Sequence, residues 1–355
     1  MYKENYNVIG VMSGTSLDGV DLAHIHFRII NHKWEFEVLE CETVSYNNDW
    51  MFQLKNAVDF SKEELLTLNQ NYTSLLGTTI SDFIKKNTII ALDAVCSHGH
   101  TILHQPQNGF TLQIGNLPAI ASLCQQTVIC DFRVQDVRLG GQGAPLVPIG
   151  DQILFSEFDY CLNLGGFSNV SFQDNQERIA FDISPVNTVL NFYANQLGLD
   201  YDDKGQISRT GKLNNDLLQE LNSLSFYKKK FPKSLGFEFV KESILPLIEK
   251  HNLPIKDKLR TFTAHIAIQI SLALSYKKGK ILITGGGAYN DFLIEEIQIH
   301  IPEINIIIPS RKILEYKEAL IFALLGVLKL RNEVNVLSSV TGAKHNHSSG
   351  KIFLE

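Results

Sequence analysis

Cysteine is scarce and unpatterned in this chain. Cys41, Cys96, Cys124, Cys130 and Cys161 are odd in number and form no C-x-x-C pair, which argues against both a disulfide framework and a cysteine zinc site. Positive charge is not in excess either: 32 Lys and Arg against 38 Asp and Glu leave a net charge of −6. General attraction to nucleic acid or to an anionic membrane is therefore not expected, and no run of like charges marks a tail. Long hydrophobic runs are missing, since the longest apolar stretch, Ala319 to Leu328, is far too short to span a bilayer. The opening MYKENYNV lacks the charged-then-apolar layout of a signal peptide, so the expected location is the cytoplasm. What is present is ordinary globular material. With 44% hydrophobic and 20% charged residues in 355, the chain can bury a sizeable core and is long enough for two domains.

Strands dominate the first stretch, at Asn7–Val11, Val20–Ile30 and Glu35–Val44, each bounded by turn-forming residues. Ser61-Lys62-Glu63-Glu64 has the form of a capping box, and the helical pattern behind it continues to about Lys86. Strands are expected again at Ala94–Ser97, Phe110–Ile114 and Thr127–Asp131. After the Gly/Pro-rich LGGQGAPLVP at 139–148 the opening theme restarts. YNVIGVMSGTSLDGVDLAHI and DYCLNLGGFSNVSF are each an apolar strand, a Gly and Ser/Thr loop and a second strand, which reads as an internal duplication. Helices follow at about 185–197, 212–224, 238–250, 256–276, 289–299 and 313–331, with strands at Lys280–Thr284 and Ile304–Ile308. The pattern predicts two α/β domains meeting at a cleft, 1–135 and 136–355, the last residues packing back on the first.

Glycine allows close backbone approach, and Ser and Thr add hydroxyls, so the turn GTSLDG can aim several N–H groups at an anion. It lacks the lysine of a P-loop and joins two strands, which fits a hairpin phosphate clamp better than a Walker or dinucleotide site. Asp18 and Asp21 beside it could hold magnesium through waters; alternatively Asp18-Gly19 is simply a hairpin turn. ILITGGGAYND at 281–291 supplies a third glycine cluster, between a buried strand and a helix start.

Asp182, in RIAFDISPVN, ends an apolar strand where a carboxylate can be held rigidly as a general base. The same residue could instead cap the helix beginning near Pro185. In SHGHTILHQP, the H-x-H spacing would put His98 and His100 on one strand face, a zinc half-site that His104 could complete. Substrate hydrogen bonding or packing is the competing reading. His345 and His347 fall in a polar tail and are expected to be solvated.

MSGTSLDGVD, SHGHTILHQP, TLQIGN, DFRVQDVRLGGQGAPLVP, LNLGGFSNVS, FDISPVN, PKSLG, TGGGAYN and VTGA occur in the order of the anhydro-N-acetylmuramic acid kinase family, which the chain resembles from residue 7 to about 343. The resemblance implies an actin-like ATPase fold of the sugar kinase, Hsp70 and actin type, two α/β domains with a cleft between them that takes ATP and magnesium. It implies that Asp182 is the base that deprotonates water to open a 1,6-anhydro ring while the freed O6 takes the γ-phosphoryl group. Gly14, Thr15, Ser16, Leu17, Asp18, Gly19 and Asp21 would then face phosphate from one domain, Asp18 holding Mg2+ through waters. Gly165, Gly166 and Ser168 would answer from the other, with Gly285, Gly286 and Gly287 beside the adenosine. Ser13, His100, Thr101, Arg133, Asp136 and Glu318 would contact the sugar. The implied partners are a small-molecule sugar and a second copy in a homodimer, without nucleic acid or membrane.

Several positions depart from the family pattern. FDISPVN puts Ile183, Ser184 and Val186 where a hydroxyl and two glycines are usual, and His100 stands for a glutamine. Val134 and Gln135 replace residues that are often basic, and Phe237 replaces an arginine. More bulk and less positive charge beside the sugar would change how its lactyl carboxylate is held, or which anhydro-sugar is used. An ATP-binding sensor of a cell-wall sugar without turnover is the alternative from another class, and a zinc hydrolase built on the three histidines is a further one.

Overall fold

The computed structural model describes residues 2–14, 16–275 and 278–355 and divides into two compact units, 1–154 with 316–355, and 155–315. The first unit holds β1 (Asn5–Ser13), β2 (Val20–Ile30), β3 (Lys33–Val44), β4 (Ala94–Gln105), β5 (Phe110–Ile114) and β6 (Val128–Cys130). The second holds β7 (Tyr160–Leu164), β8 (Phe167–Asp174), β9 (Glu177–Pro185), β10 (Gly279–Thr284) and β11 (Ile304–Ile307), and β12 (Lys351–Phe353) returns to the first. A division at 135/136 is not what the packing draws. The Val147–Leu154 helix lies so close to the chain's last long helix that a Cβ on Gly150 would meet Ile321 at 2.6 Å, which ties residues beyond 135 to the first unit.

The duplication is plain in the sheets. In the first, β3, β2 and β1 pair antiparallel, and β4 and then β6 continue parallel to β1. In the second, β9, β8 and β7 pair antiparallel, and β10 and β11 continue parallel to β7. The path β3-β2-β1-β4-β6 of the first unit thus matches β9-β8-β7-β10-β11 of the second, the first adding β5 as an antiparallel partner of β4 and β12 beyond β6. Parallel strands sharing one direction bring the loops at their C-terminal ends together, the usual seat of ligands in such sheets.

Alternation along β1 sets the layers of the first unit. Ile9 and Val11 join Leu68, Tyr72, Leu76 and Ile80 of the Lys62–Lys86 helix in one core. That helix starts at the expected capping box, Glu64 N–H donating to Ser61 Oγ at 3.3 Å and Ser61 N–H to the Glu64 carboxylate at 2.8 Å. On the other face Gly10 lets the Arg311–Leu330 helix approach: a Cβ there would lie 1.9 Å from the Ala319 carbonyl oxygen.

Three expected helices differ in detail. The one at 185–197 begins at Asn187, because Pro185 closes β9. The one at 238–250 contains a wide π turn at Val240–Ile244, ahead of Pro246, which has no N–H to give to the preceding turn. The one at 256–276 runs Ile255–Ala273, and its expected end at Tyr276 lies outside the described residues.

Candidate active site

The turn between β1 and β2 begins at Ser13. Thr15 lies outside the described residues. Leu17 takes a positive φ of 61° and packs its side chain on the core, so it offers backbone rather than side chain to a ligand. Gly19, at φ +154°, is forced: a Cβ would sit 2.4 Å from the Val44 carbonyl oxygen. Asp18 is exposed and accepts from Ser16 Oγ at 2.7 Å, while Asp21 accepts from Thr43 Oγ1 at 2.6 Å. Gly14 has open space around it apart from Ser16.

The two histidines of β4 do not share a face. Gly99 between them has φ +75°, which breaks the strand alternation and corrects the zinc half-site expectation. His98 packs on Phe322, ring centroids 4.6 Å apart, with Nε2 accepting from Arg133 Nε at 2.8 Å and Nδ1 on the Gly99 carbonyl at 2.9 Å. Both its ring nitrogens are thereby used. His100 turns toward the opposite core, where its Nδ1 meets Ser13 Oγ at 2.8 Å. Ser13 Oγ in turn meets the Tyr46 hydroxyl at 2.6 Å, and Tyr46 meets the Tyr72 hydroxyl at 2.6 Å. Burial pushes His100 down to about 4 and His98 well below the ordinary imidazole value, the latter helped by Arg133, so both are neutral at pH 7. His104 is exposed and bonds Thr111, Thr101 accepts from Gln113, and no group of three metal-ligating side chains exists among the described residues. Tyr46 and Tyr72 escape sequence reasoning because buried tyrosines resemble any other core aromatics.

Arg133 is the cation of this region. Burial lowers it to about 10, still charged at neutral pH, against the opposing fields of Glu318 and Asp136. Glu318 keeps solvent contact, yet the protein packed around it raises its carboxyl, Arg133 pulls it down, and Asp21 and Asp18 raise it further.

Asp136 is completely buried, with both oxygens taken. One accepts from Gly143 N–H at 2.6 Å and the other from Thr341 Oγ1 at 2.7 Å, with His347 Nε2 at 3.6 Å. A Cβ on Gly141 would strike this carboxylate at 2.2 Å, and the Arg133 guanidinium donates to the Gly143 carbonyl at 2.6 Å. The GGQGAPLVP loop is therefore folded around Asp136, which fixes Arg133. His347 is buried here at 5% exposure, against the solvated tail expected for it; His345 remains exposed. Thr341→Val leaves one oxygen of a buried carboxylate unpaired and is expected to cost about 2 kcal/mol in chemical denaturation.

In the second unit Asp182 sits inside β9, opposite Asn169 of β8. It does not cap the following helix, whose N-cap is Val186 without a side-chain bond. Instead Asp182 Oδ2 accepts from Leu235 N–H at 2.8 Å, and its own N–H donates to the Lys233 carbonyl at 3.1 Å, so PKSLG holds it on both sides. Desolvation raises its carboxyl, with the Leu235 bond opposing. Among the described residues Oδ1 takes no hydrogen bond.

The Gly165 and Gly166 carbonyls accept from N–H groups of Val186, Asn187 and Thr188, which turns the Gly166 N–H away from that helix. Ser168 is fully buried, its hydroxyl bonded to Ser184 at 3.0–3.1 Å, so it stitches β8 to β9. Gly285 and Gly287 pack on the end of β7, where a Cβ would meet Asn163 at 2.5 Å and Leu164 at 2.8 Å respectively; Gly286 is exposed. Ile183 and Val186 are 1% and 0% exposed, and Ser184 is buried. Their bulk enters the core and does not crowd a ligand, a correction to the expectation drawn from FDISPVN. Phe237 is exposed.

One strand order used twice, each time with a glycine turn between its first two strands, makes this an actin-like α/β ATPase fold, the class that includes sugar kinases. The family described as anhydro-N-acetylmuramic acid kinase matches residues 6–355, and the chain belongs to that family. Among curated relatives, anhydro-N-acetylmuramic acid kinase of Francisella tularensis subsp. novicida is 34% identical, covering 97% of each chain. That of Bacillus thuringiensis subsp. konkukian is also 34% identical, covering 97% of this chain and 98% of its own. A solved ROK family glucokinase from Streptomyces griseus in complex with glucose and AMPPNP is 11% identical, covering 90% of this chain and 98% of that one, at a TM-score of 0.42. No helix among the described residues is long and apolar enough to cross a membrane.

Proposed function

We propose that the chain is an ATP-dependent kinase of cell-wall recycling that opens 1,6-anhydro-N-acetylmuramic acid with water and phosphorylates O6, giving N-acetylmuramic acid 6-phosphate. The observation that carries this reading is Asp182, a strand-held carboxylate with one oxygen fixed by Leu235 and the other available to a water. Asp182 takes the proton from water as its oxygen bonds to the anomeric carbon. The bond from that carbon to O6 breaks, and O6 becomes the phosphoryl acceptor.

ATP supplies the phosphoryl group. Gly14, Ser16 and Asp18 of the first turn, with Gly166 and Gly286, offer backbone N–H groups to its phosphates and adenosine side, while Gly19, Gly285, Gly287 and Ser168 shape those loops from behind. Asp18, exposed and, among the described residues, in no group of three metal-ligating side chains, suits a magnesium ion that keeps most of its waters. Ser13, His100, Thr101, Arg133 and Glu318 would bind the sugar, with Asp136 setting Arg133. A homodimer belongs to the same reading and is checked by light scattering.

The deciding experiment incubates the protein with Mg-ATP and the anhydro-sugar in 18O-water, followed by 31P NMR and mass spectrometry. A 6-phosphosugar with 18O at the anomeric carbon is expected. ATP binding without sugar turnover would overturn the kinase reading in favour of a non-catalytic sensor, and turnover of another anhydro-sugar only would replace the substrate. Because Asp182 must be ionised and its pKa is raised, kcat/KM should climb with pH through a limb above the ordinary aspartate range. The contribution of Asp182 to stability has the opposite sign. It is most favourable below the unfolded-state pKa and declines as pH rises through the raised folded value.

A further inference from the structure

The hydroxyl chain behind His100 has a direction that its proton count fixes. Tyr72, Tyr46, Ser13 and His100 make three contacts in series, each 2.6–2.8 Å long, and every member is nearly or fully buried. Three hydroxyl protons are available for those three contacts. If His100 Nδ1 accepts, Tyr72 donates to Tyr46, Tyr46 to Ser13 and Ser13 to His100, and nothing is left over. If Nδ1 carried a proton, four protons would compete for three contacts, leaving one buried hydroxyl without an acceptor, which is the costly arrangement.

We propose that Ser13, backed by Tyr46 and Tyr72, is a positioning residue that locks His100 in its Nε2–H tautomer, making it a neutral hydrogen-bond donor to an oxygen acceptor of the sugar. Its identity as a sugar ligand rests on the function proposed above; the lock itself does not. Nδ1 is occupied by Ser13, so Nε2 is the ring nitrogen left for a ligand. His98, two residues away, is fixed in the opposite tautomer, since Arg133 donates to its Nε2 and leaves Nδ1–H for the Gly99 carbonyl. One strand thus carries two imidazoles set to opposite hydrogen-bonding sense by different neighbours. Tyr72 is held in turn by Trp50, edge-on with centroids 5.6 Å apart, and by Gly115, where a Cβ would meet the tyrosine ring at 2.9 Å.

The test is 15N NMR of the histidine ring nitrogens in the resting protein, with His100 assigned through His100→Gln. In the wild type, His100 should show protonated Nε2 and bare Nδ1, and His98 the reverse. Ser13→Ala removes the hydroxyl that donates to Nδ1, so the Nδ1–H form of His100 should appear while His98 stays unchanged. Tyr46→Phe leaves Ser13 its one proton for Nδ1 and should keep the wild-type tautomer. KM for the anhydro-sugar should rise about 5- to 10-fold in Ser13→Ala with kcat little altered, the loss of one aligned hydrogen bond. His100→Gln, whose amide can accept from Ser13 and still donate, should keep KM within about threefold, a smaller change than one hydrogen bond is worth. A wild-type His100 protonated on Nδ1, or a Ser13→Ala protein with unchanged tautomer and KM, overturns the proposal. If the wild type turns over no anhydro-sugar, the kinase reading fails, and the ring-nitrogen spectrum still decides the lock.

Discussion

Asp182→Asn is expected to fold normally and to lose about a thousandfold in kcat, the scale of a general base removed from a reaction that has no substitute for it. The asparagine side chain keeps an oxygen for the Leu235 N–H, so the loop that holds it stays in place. KM for the sugar should change little, because the lost interaction belongs to the reacting water. The same variant should be more stable than the wild type at neutral pH, since it removes a carboxylate whose ionisation the site disfavours. Activity and melting temperature measured side by side check both signs. A variant that is less stable and only a few-fold slower would assign Asp182 a structural role.

The second large effect is on folding. Gly10→Val places a Cβ 1.9 Å from the Ala319 carbonyl oxygen, a backbone atom of the Arg311–Leu330 helix that cannot swing aside. The same helix crosses β4 at Gly326, where a Cβ would meet Cys96 Sγ at 2.1 Å, so its seat is fixed at two points. Valine must lift the helix off the sheet, and a loss of about 4 kcal/mol or more is expected, among the largest for one substitution. Urea denaturation with intrinsic fluorescence measures it. Gly14→Ala, at a glycine with open surroundings, should by contrast leave the midpoint nearly unchanged.

The strand–glycine loop–strand repeat was legible because it is written in local pattern. Period-two apolar runs and turn residues announce β1, β2, β7 and β8 without any tertiary knowledge. The direction a polar side chain faces was not legible. Asp136 and Ser168 sit in motifs rich in ligand-type residues, yet their oxygens are spent on Gly143, Thr341 and Ser184. Likewise His98 and His100 look like a same-face pair until one positive φ at Gly99 separates them. Asp182 was ambiguous between capping and catalysis, because its partner Leu235 is 53 residues away and no local pattern encodes such a bond.

The second unit is one continuous stretch, 155–315, set within a first unit whose parts lie on either side of it in sequence. On the ribosome this inverts the usual order of completion. The N-terminal strands emerge first, but the helix that covers Gly10 and the strand β12 that pairs with β6 are made only after the whole second unit. At about 5–20 residues per second, the opening sheet waits on the order of ten to thirty seconds for its missing face. During that interval the Gly10 side of β1 and its neighbours is the nascent surface most in need of a chaperone.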